Sequence, residues 1–144
     1  FDRLRATEIK HGRISMLAIL GHLATTAGWR IGGDIAYGVP FSSIKGGLAA
    51  FDDIPAAGTL QLLLFIGLLE IGFSKVQESI ESDCYNYMDA QGWSEDKQLR
   101  KRAIELNNGR AAQMGILALM VHEKLDNNPY VINSLLGSPV PFNA

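Results

Sequence analysis

ATEIKHGRISMLA, residues 6–18, carries a glutamate, a lysine, a histidine and an arginine at the head of an apolar run. AIELNNGRAAQMG, residues 103–115, repeats this arrangement, with glutamate, glycine and arginine at matching positions. Ionisable side chains within membrane-spanning helices raise the free energy of insertion, and they usually pair with one another or take part in function. The two stretches therefore decide between a soluble helical fold and a membrane fold whose polar residues have a function.

Length, charge and cysteine content narrow the class of protein. The 144 residues suit one domain, which we take to span 1–144. A formal net charge of −2 gives no indication of a nucleic-acid partner. The single cysteine, Cys84, excludes an internal disulfide framework.

The pattern of apolar and turn residues predicts an all-α protein. Gly28 ends the first helix, and Pro55 stands at the start of the second, where its missing N–H is not needed. Residues 28–55 are rich in glycine and turn residues and are predicted to form a long loop. Residues 78–96 are polar and acidic, with a turn near Gly92. The three predicted helices span about 4–26, 56–77 and 97–125.

A fourth, short segment follows the third helix. Residues 130–136 carry apolar side chains at a spacing that suits one amphipathic helix lying at an interface. These side chains are Tyr130, Val131, Ile132, Leu135 and Leu136.

Hydropathy alone leaves two folds open. No segment reaches the roughly 18 uninterrupted apolar residues that mark a spanning helix, so a soluble protein with buried helices fits. The distribution of lysine and arginine favours three membrane spans, since positive residues collect on one side of a membrane. If the N-terminus shares a side with residues 75–103, that side holds Arg3, Arg5, Lys10, Lys75, Lys97, Arg100, Lys101 and Arg102, against Arg30, Lys45 and Lys124 opposite.

The internal repeat relates helices 1 and 3, which lie 97 positions apart in register. It aligns Gly12 with Gly109 and Arg13 with Arg110, whereas helix 2 has no counterpart. A repeat of this kind predicts that helices 1 and 3 cross about a pseudo-two-fold axis. Glycine at the crossing allows two helices to approach closely.

The charges of the repeat predict two reciprocal ion pairs. Arg13 lies about 140° around the helix from Glu8, so it cannot easily reach the glutamate of its own helix. Across the axis it can reach Glu105, while Arg110 reaches Glu8. A lone charge at mid-bilayer costs about 2.5–3.5 kcal/mol of insertion free energy. Pairing each charge with an opposite one offsets most of that cost. The same spacing also suits surface charges near the ends of soluble helices.

Several polar residues of the repeat each offer one donor to a metal. A carboxylate paired with arginine keeps a lone pair, His11 has an imidazole nitrogen, and Asn108 has a carbonyl oxygen. Glu8 and His11 lie on a different helix from Glu105 and Asn108, so they suit several metal centres with one protein ligand each. A magnesium ion already held by a tetrapyrrole needs one such axial donor, and magnesium accepts oxygen and nitrogen.

These motifs carry a family resemblance. EIKHGR at 8–13 and ELNNGR at 105–110 resemble the first and third helix motifs of the light-harvesting chlorophyll-binding antenna proteins. ELNNGRAAQMGILALMVHE, residues 105–123, most resembles the branch from algae of the red plastid lineage, which contains the fucoxanthin– or peridinin–chlorophyll a/c proteins. The resemblance covers all three helices. It implies an all-α membrane protein with three transmembrane helices, of which the first and third cross.

The resemblance also implies which residues bind chlorophyll magnesium. His122 stands about four turns past Asn108, where the family has a Gln or His ligand. Glu70 ends the apolar run of helix 2, where the family carries a glutamate ligand. Gln61 is a weaker candidate, because its spacing to Glu70 departs from the green-plant pattern, and His22 has no motif partner and is interpreted as structural. The implied ligands are Glu8, His11, Glu105, Asn108, His122, Glu70 and Gln61, with Arg13 and Arg110 as the partners of the glutamates.

The function implied is that of an antenna rather than an enzyme. The protein would bind chlorophyll a, chlorophyll c and carotenoids of the fucoxanthin or peridinin type and of the xanthophyll cycle. It would lie in the chloroplast thylakoid membrane among thylakoid lipid, neighbouring antenna subunits and a photosystem core. Two alternatives stay open: a photoprotective relative that dissipates energy, and a di-iron enzyme, since Glu8-x-x-His11 is half of that signature. The second alternative lacks the other histidine, because the repeat has Asn108, and it lacks a fourth long helix.

Overall fold

Within residues 1–125, which the computed structural model describes apart from the side chains of Asp2 and Glu78, the chain is predominantly helical. The C-terminal helix predicted at residues 130–136 lies outside this part of the chain. Two short 3-10 turns lie at Phe41–Ser43 and Gly47–Ala49. In chain order the elements are α1 (Asp2–Thr26), β1 (Asp34–Ala36), β2 (Val39–Pro40), α2 (Ala50–Asp53), α3 (Ala56–Ala90) and α4 (Glu95–Leu125).

Two compact units divide this chain. One unit contains Phe1–Pro55 together with the chain from Leu106, so it holds α1, the hairpin and most of α4. The other unit is Ala56–Glu105, which holds α3 and the beginning of α4.

In the first unit, the backbones of α1 and α4 touch at two glycines. A Cβ atom placed on Gly12 would lie 2.8 Å from the Cα of Gly109, and one on Gly109 would lie 3.0 Å from the Cα of Gly12. Farther along, a Cβ on Gly115 would come within 3.2 Å of the Cδ1 atom of Ile19. The approach of α1 to α4 therefore depends on the absence of side chains at Gly12 and Gly109.

Arg30 fixes the segment that follows α1. Its Nη1 donates a hydrogen bond to the carbonyl oxygen of Thr25, in the last turn of α1, at 2.6 Å, and its Nε donates to that of Ile44 at 3.2 Å. A cation near a helix C-terminus is also favoured by the helix dipole. The predicted long loop contains a short antiparallel hairpin, β1 with β2, whose tight turn includes Gly38 at φ +79°.

In the second unit, α3 runs on to Ala90, whereas the sequence predicted a helix ending near residue 77. Residues 78–90 are polar but contain neither glycine nor proline, so nothing in their backbone chemistry stops the helix. The turn predicted near Gly92 is present, with that residue at φ +69°. Polarity ended the apolar segment here without ending the helix.

Polar and aromatic side chains hold the turn between α3 and α4. The Nε2 group of Gln98, a residue only 9% exposed, donates to Asp89 Oδ1 at 2.7 Å and to the carbonyl oxygen of Trp93 at 3.2 Å. Lys97 Nζ lies 4.2 Å from the ring centre of Trp93, and the Arg102 guanidinium lies above the ring of Tyr85. These cation–π contacts add to the hydrogen bonds of Gln98 in fixing the turn.

Apolar side chains in the described residues are mostly exposed. Ala112, at 6% exposure, is the one residue of 1–125 whose apolar side chain is buried, whereas Leu64 and Leu68 of α3 are 61% and 69% exposed. Within the same residues, Ala56–Gln77 is the segment long and apolar enough to cross a membrane, with a mean hydropathy of 1.8. Continuous apolar surface of this extent is typical of helices that contact lipid, apolar ligands or other proteins.

We predict that Gly12→Ala destabilises the packing of α1 on α4. The new methyl group would collide with backbone atoms of Gly109, and overpacking of this kind costs about 1–3 kcal/mol. The measurement is the thermal midpoint of helical circular dichroism in detergent. Gly21→Ala is the matched control, because a Cβ there meets nothing within 4 Å. Equal midpoints for the two variants would contradict the contact.

Candidate functional site

An ion pair joins α1 to α4 next to the glycine contact. Arg110 Nε donates to Glu8 Oε1 at 2.5 Å, and the Glu8 side chain is 34% exposed. Gln113, one turn past Arg110, donates from Nε2 to the backbone carbonyl oxygen of Glu8 at 3.3 Å. This is one of the two ion pairs that the repeat predicts. The other, between Arg13 and Glu105, stays a prediction.

The geometry of the pair leaves the carboxylate able to do more than balance a charge. The hydrogen bond from Arg110 engages Oε1 of Glu8, and an ionised carboxylate has two oxygens with about four lone-pair positions. A hydrogen bond between two charged groups is also stronger than one between neutral groups. Glu8 can thus be held in place by Arg110 while Oε2 serves as a single oxygen donor to a hard metal ion.

His11 is oriented by a hydrogen bond within α1. Its Nδ1 lies 2.8 Å from the carbonyl oxygen of Thr7, and a carbonyl oxygen can only accept. Nδ1 must therefore carry the hydrogen, which leaves the lone pair of the neutral ring on Nε2. Metal-bound histidines commonly donate a hydrogen bond from their second ring N–H to such a carbonyl group. His11, exposed on α1, thus offers one nitrogen as a donor.

The other predicted ligands are distributed along α3 and α4. Asn108 is exposed, Glu105 is half-buried, and His122 is half-buried in the last turn of α4. Glu70 and Gln61 are exposed on α3. Within residues 1–125, no three His, Cys, Asp or Glu side chains come together as they would around one metal ion.

His22, which the sequence analysis interpreted as structural, is 9% exposed. Its backbone carbonyl oxygen accepts hydrogen bonds from the hydroxyl groups of Thr25 and Thr26, at 3.0 and 2.8 Å. These bonds lie in the last turns of α1, close to the Arg30 contact. They add to the order of that helix end.

Sequence reasoning missed two polar residues that matter for the site. Gln113 follows Arg110 by three positions and so shares its helix face, a signal that the sequence contains. Glu123 is 9% exposed, and its Oε1 accepts a hydrogen bond from the backbone N–H of Ala49 at 3.1 Å. That contact spans 74 positions, and no periodicity within α4 indicates it.

Comparison with known proteins gives a consistent set of relatives. Residues 1–124 match the family described as Chlorophyll A-B binding protein. Fucoxanthin-chlorophyll a-c binding protein E of Macrocystis pyrifera is 50% identical, over 99% of this chain and 71% of its own length. Fucoxanthin-chlorophyll a-c binding protein B of Phaeodactylum tricornutum is 58% identical, over 89% of this chain and 68% of its own length. Protein A from that organism is 57% identical, over 87% of this chain and 67% of its own length.

We predict that reversing one charge of the Glu8–Arg110 pair destabilises the helix pair, whereas reversing both restores it. Arg110→Glu places two carboxylates together, and Glu8→Arg places two guanidinium groups together, so each single variant should lose thermal stability in detergent. The double variant Glu8→Arg, Arg110→Glu re-creates an ion pair across the same contact. A double variant whose loss of melting temperature equals the sum of the two single losses would show that the pair does not hold α1 to α4.

Proposed function

The chain belongs to the chlorophyll A-B binding protein family, and we propose that it is a light-harvesting antenna protein of the thylakoid membrane. Its similarity to fucoxanthin-chlorophyll a-c binding proteins supports chlorophyll a, chlorophyll c and fucoxanthin as its pigments. Similar proteins that carry chloroplastic names support a plastid location. Pigments supply light absorption, while the protein sets their spacing, orientation and local polarity. We propose a photosystem and neighbouring antenna subunits as its partners.

The observation that carries the proposal is the Glu8–Arg110 ion pair beside the Gly12–Gly109 contact. It supplies a carboxylate whose charge is balanced by another helix and whose second oxygen can bind magnesium. Such a carboxylate suits an apolar environment, where an unbalanced charge would be costly. The arrangement therefore meets both demands of a chlorophyll ligand in a membrane helix, charge balance and an available donor.

The exposure of apolar side chains supports a membrane location. Along Ala56–Gln77 the large leucine, isoleucine and phenylalanine side chains face outward, where lipid or pigment can cover them. We propose that this segment, α1 and α4 each cross the membrane. The sequence repeat further supports crossing of α1 and α4 about a pseudo-two-fold axis, with Arg13 and Glu105 forming the second ion pair.

We propose that each pigment magnesium is held by one side chain. Glu8 and His11 would serve on α1, the latter through Nε2 as its hydrogen bond to Thr7 dictates. The ligands of α4 would be Glu105, Asn108 and His122, and those of α3 would be Glu70 and Gln61. Carotenoids would lie in the grooves that flank α1 and α4.

A photoprotective relative would use the same ligands, so the two functions differ in the fate of the excited state. Family membership does not favour the di-iron alternative. Harvesting and dissipation are distinguished by the excited-state lifetime of chlorophyll in the purified pigment–protein complex.

We predict that His11→Leu lowers pigment content by about one chlorophyll per protein while the fold persists. The variant loses the Nε2 donor but keeps an apolar side chain on α1. The measurement is the chlorophyll-to-protein ratio after reconstitution with pigment and purification. His11→Asn is the matched control, because the repeat itself carries Asn108 at this position, and it should keep its pigment. Wild-type pigment content in His11→Leu would exclude His11 as a ligand.

We predict that solvent extraction of the complex yields chlorophyll a, chlorophyll c and fucoxanthin on chromatography.

We further predict a long chlorophyll excited-state lifetime at neutral pH, as harvesting requires. A short lifetime at both neutral and acidic pH would instead support the dissipating alternative. Extraction of no chlorophyll at all from reconstituted protein would remove the antenna function itself.

A further inference from the structure

One buried carboxylate connects the end of α4 to the 3-10 turn Gly47–Ala49. The Oε1 atom of Glu123 accepts the hydrogen bond from the backbone N–H of Ala49. A Cβ atom on Gly47 would lie 2.5 Å from Oε2 and 2.6 Å from Oε1, so both carboxylate oxygens pack against this glycine. Gly47 also has φ +68°, a conformation that other residues rarely adopt. The positive φ requires glycine at this position, and an added Cβ would displace the Glu123 carboxylate.

The residue before Gly47 contacts the end of α1. Gly46 is buried, and a Cβ atom there would meet the Oγ1 atom of Thr25 at 3.4 Å, an ordinary contact distance. Arg30 holds the same region through the carbonyl oxygens of Thr25 and Ile44. The turn therefore touches the C-terminal ends of both α1 and α4, and Glu123 makes the hydrogen bond to it from α4.

Burial of Glu123 makes this contact specific. A buried carboxylate is costly unless it is hydrogen-bonded, so its position is closely determined by the amide of Ala49. A side-chain hydrogen bond at Glu123 thus fixes the turn of α4 that also carries His122.

We infer that Glu123 is a positioning residue for His122: by holding the last turn of α4 against Gly47–Ala49, it sets where the neighbouring imidazole presents its nitrogen to a chlorophyll magnesium. The inference rests on the proposed function, since it takes His122 to be a ligand. Glu123 itself has no contact with pigment in this role. Its effect passes through the backbone of one helical turn.

The test compares variants of matched size in the full chain, reconstituted with chlorophyll and carotenoid. The absorption difference between the native complex and His122→Leu identifies the band of the chlorophyll bound there. Glu123→Leu lacks an acceptor and is expected to shift or weaken that band while the remaining chlorophyll bands keep their positions. Glu123→Gln keeps an acceptor oxygen and is expected to restore the native band.

A second measurement, the rate of trypsin cleavage, tests the contact between Glu123 and the turn Gly47–Ala49 without pigment spectroscopy. Trypsin can cut after Lys45, whose side chain is 59% exposed, next to the turn. Glu123→Leu and Gly47→Ala should both speed this cleavage several-fold, because each breaks the hold of α4 on the turn. Gly21→Ala is the control and should be cut at the native rate, since a Cβ there meets nothing within 4 Å and the residues around the cleaved bond are unchanged.

The outcomes separate this inference from the proposed function. Faster cleavage together with a shifted His122 band supports the positioning role. Faster cleavage with an unchanged band overturns it and leaves Glu123 as a structural contact. Native cleavage in Glu123→Leu overturns the contact itself. Full chlorophyll content in His122→Leu would show that His122 is not a ligand, which removes the positioning role while the other proposed ligands stand.

Discussion

The distance between α1 and α4 is set by Gly12 and Gly109, and the rest of the candidate site depends on that distance. Each glycine presents bare backbone to the other. At this short separation Arg110, on one helix, reaches Glu8 on the other, and Gln113 reaches the backbone beside it. A steric constraint therefore comes before the electrostatic one. The ion pair then joins specific side chains of the two helices, at a contact that the two glycines make possible.

The proposed site combines charge balance with metal ligation. A carboxylate that must stay ionised in an apolar environment needs a cation, and a magnesium ligand needs an exposed lone pair. Glu8 meets both needs because Arg110 engages one oxygen. His11 meets the second need by a different route, with the carbonyl group of Thr7 fixing its tautomer. Because each chlorophyll magnesium needs one protein ligand, the side chains of a single helix face can supply it.

The features that the sequence predicts well are those that recur within it. The repeat predicts the contact between Gly12 and Gly109 and the approach of Arg110 to Glu8, because both follow from aligning two copies of one motif. The extent of α3 was not predictable in the same way, since a change from apolar to polar residues ends a candidate span but not a helix. Glu123 was missed for another reason: its partner is a backbone N–H, and any residue but proline supplies one.

The Glu8–Arg110 pair also has a consequence for the order of assembly. The two residues lie 102 positions apart, and a chain is made from its N-terminus. Glu8 is therefore synthesised long before the arginine that balances its charge, and in the proposed membrane arrangement α1 lacks this partner until α4 follows. That arrangement requires biogenesis to delay the final placement of α1, or to shield Glu8, until α4 is available.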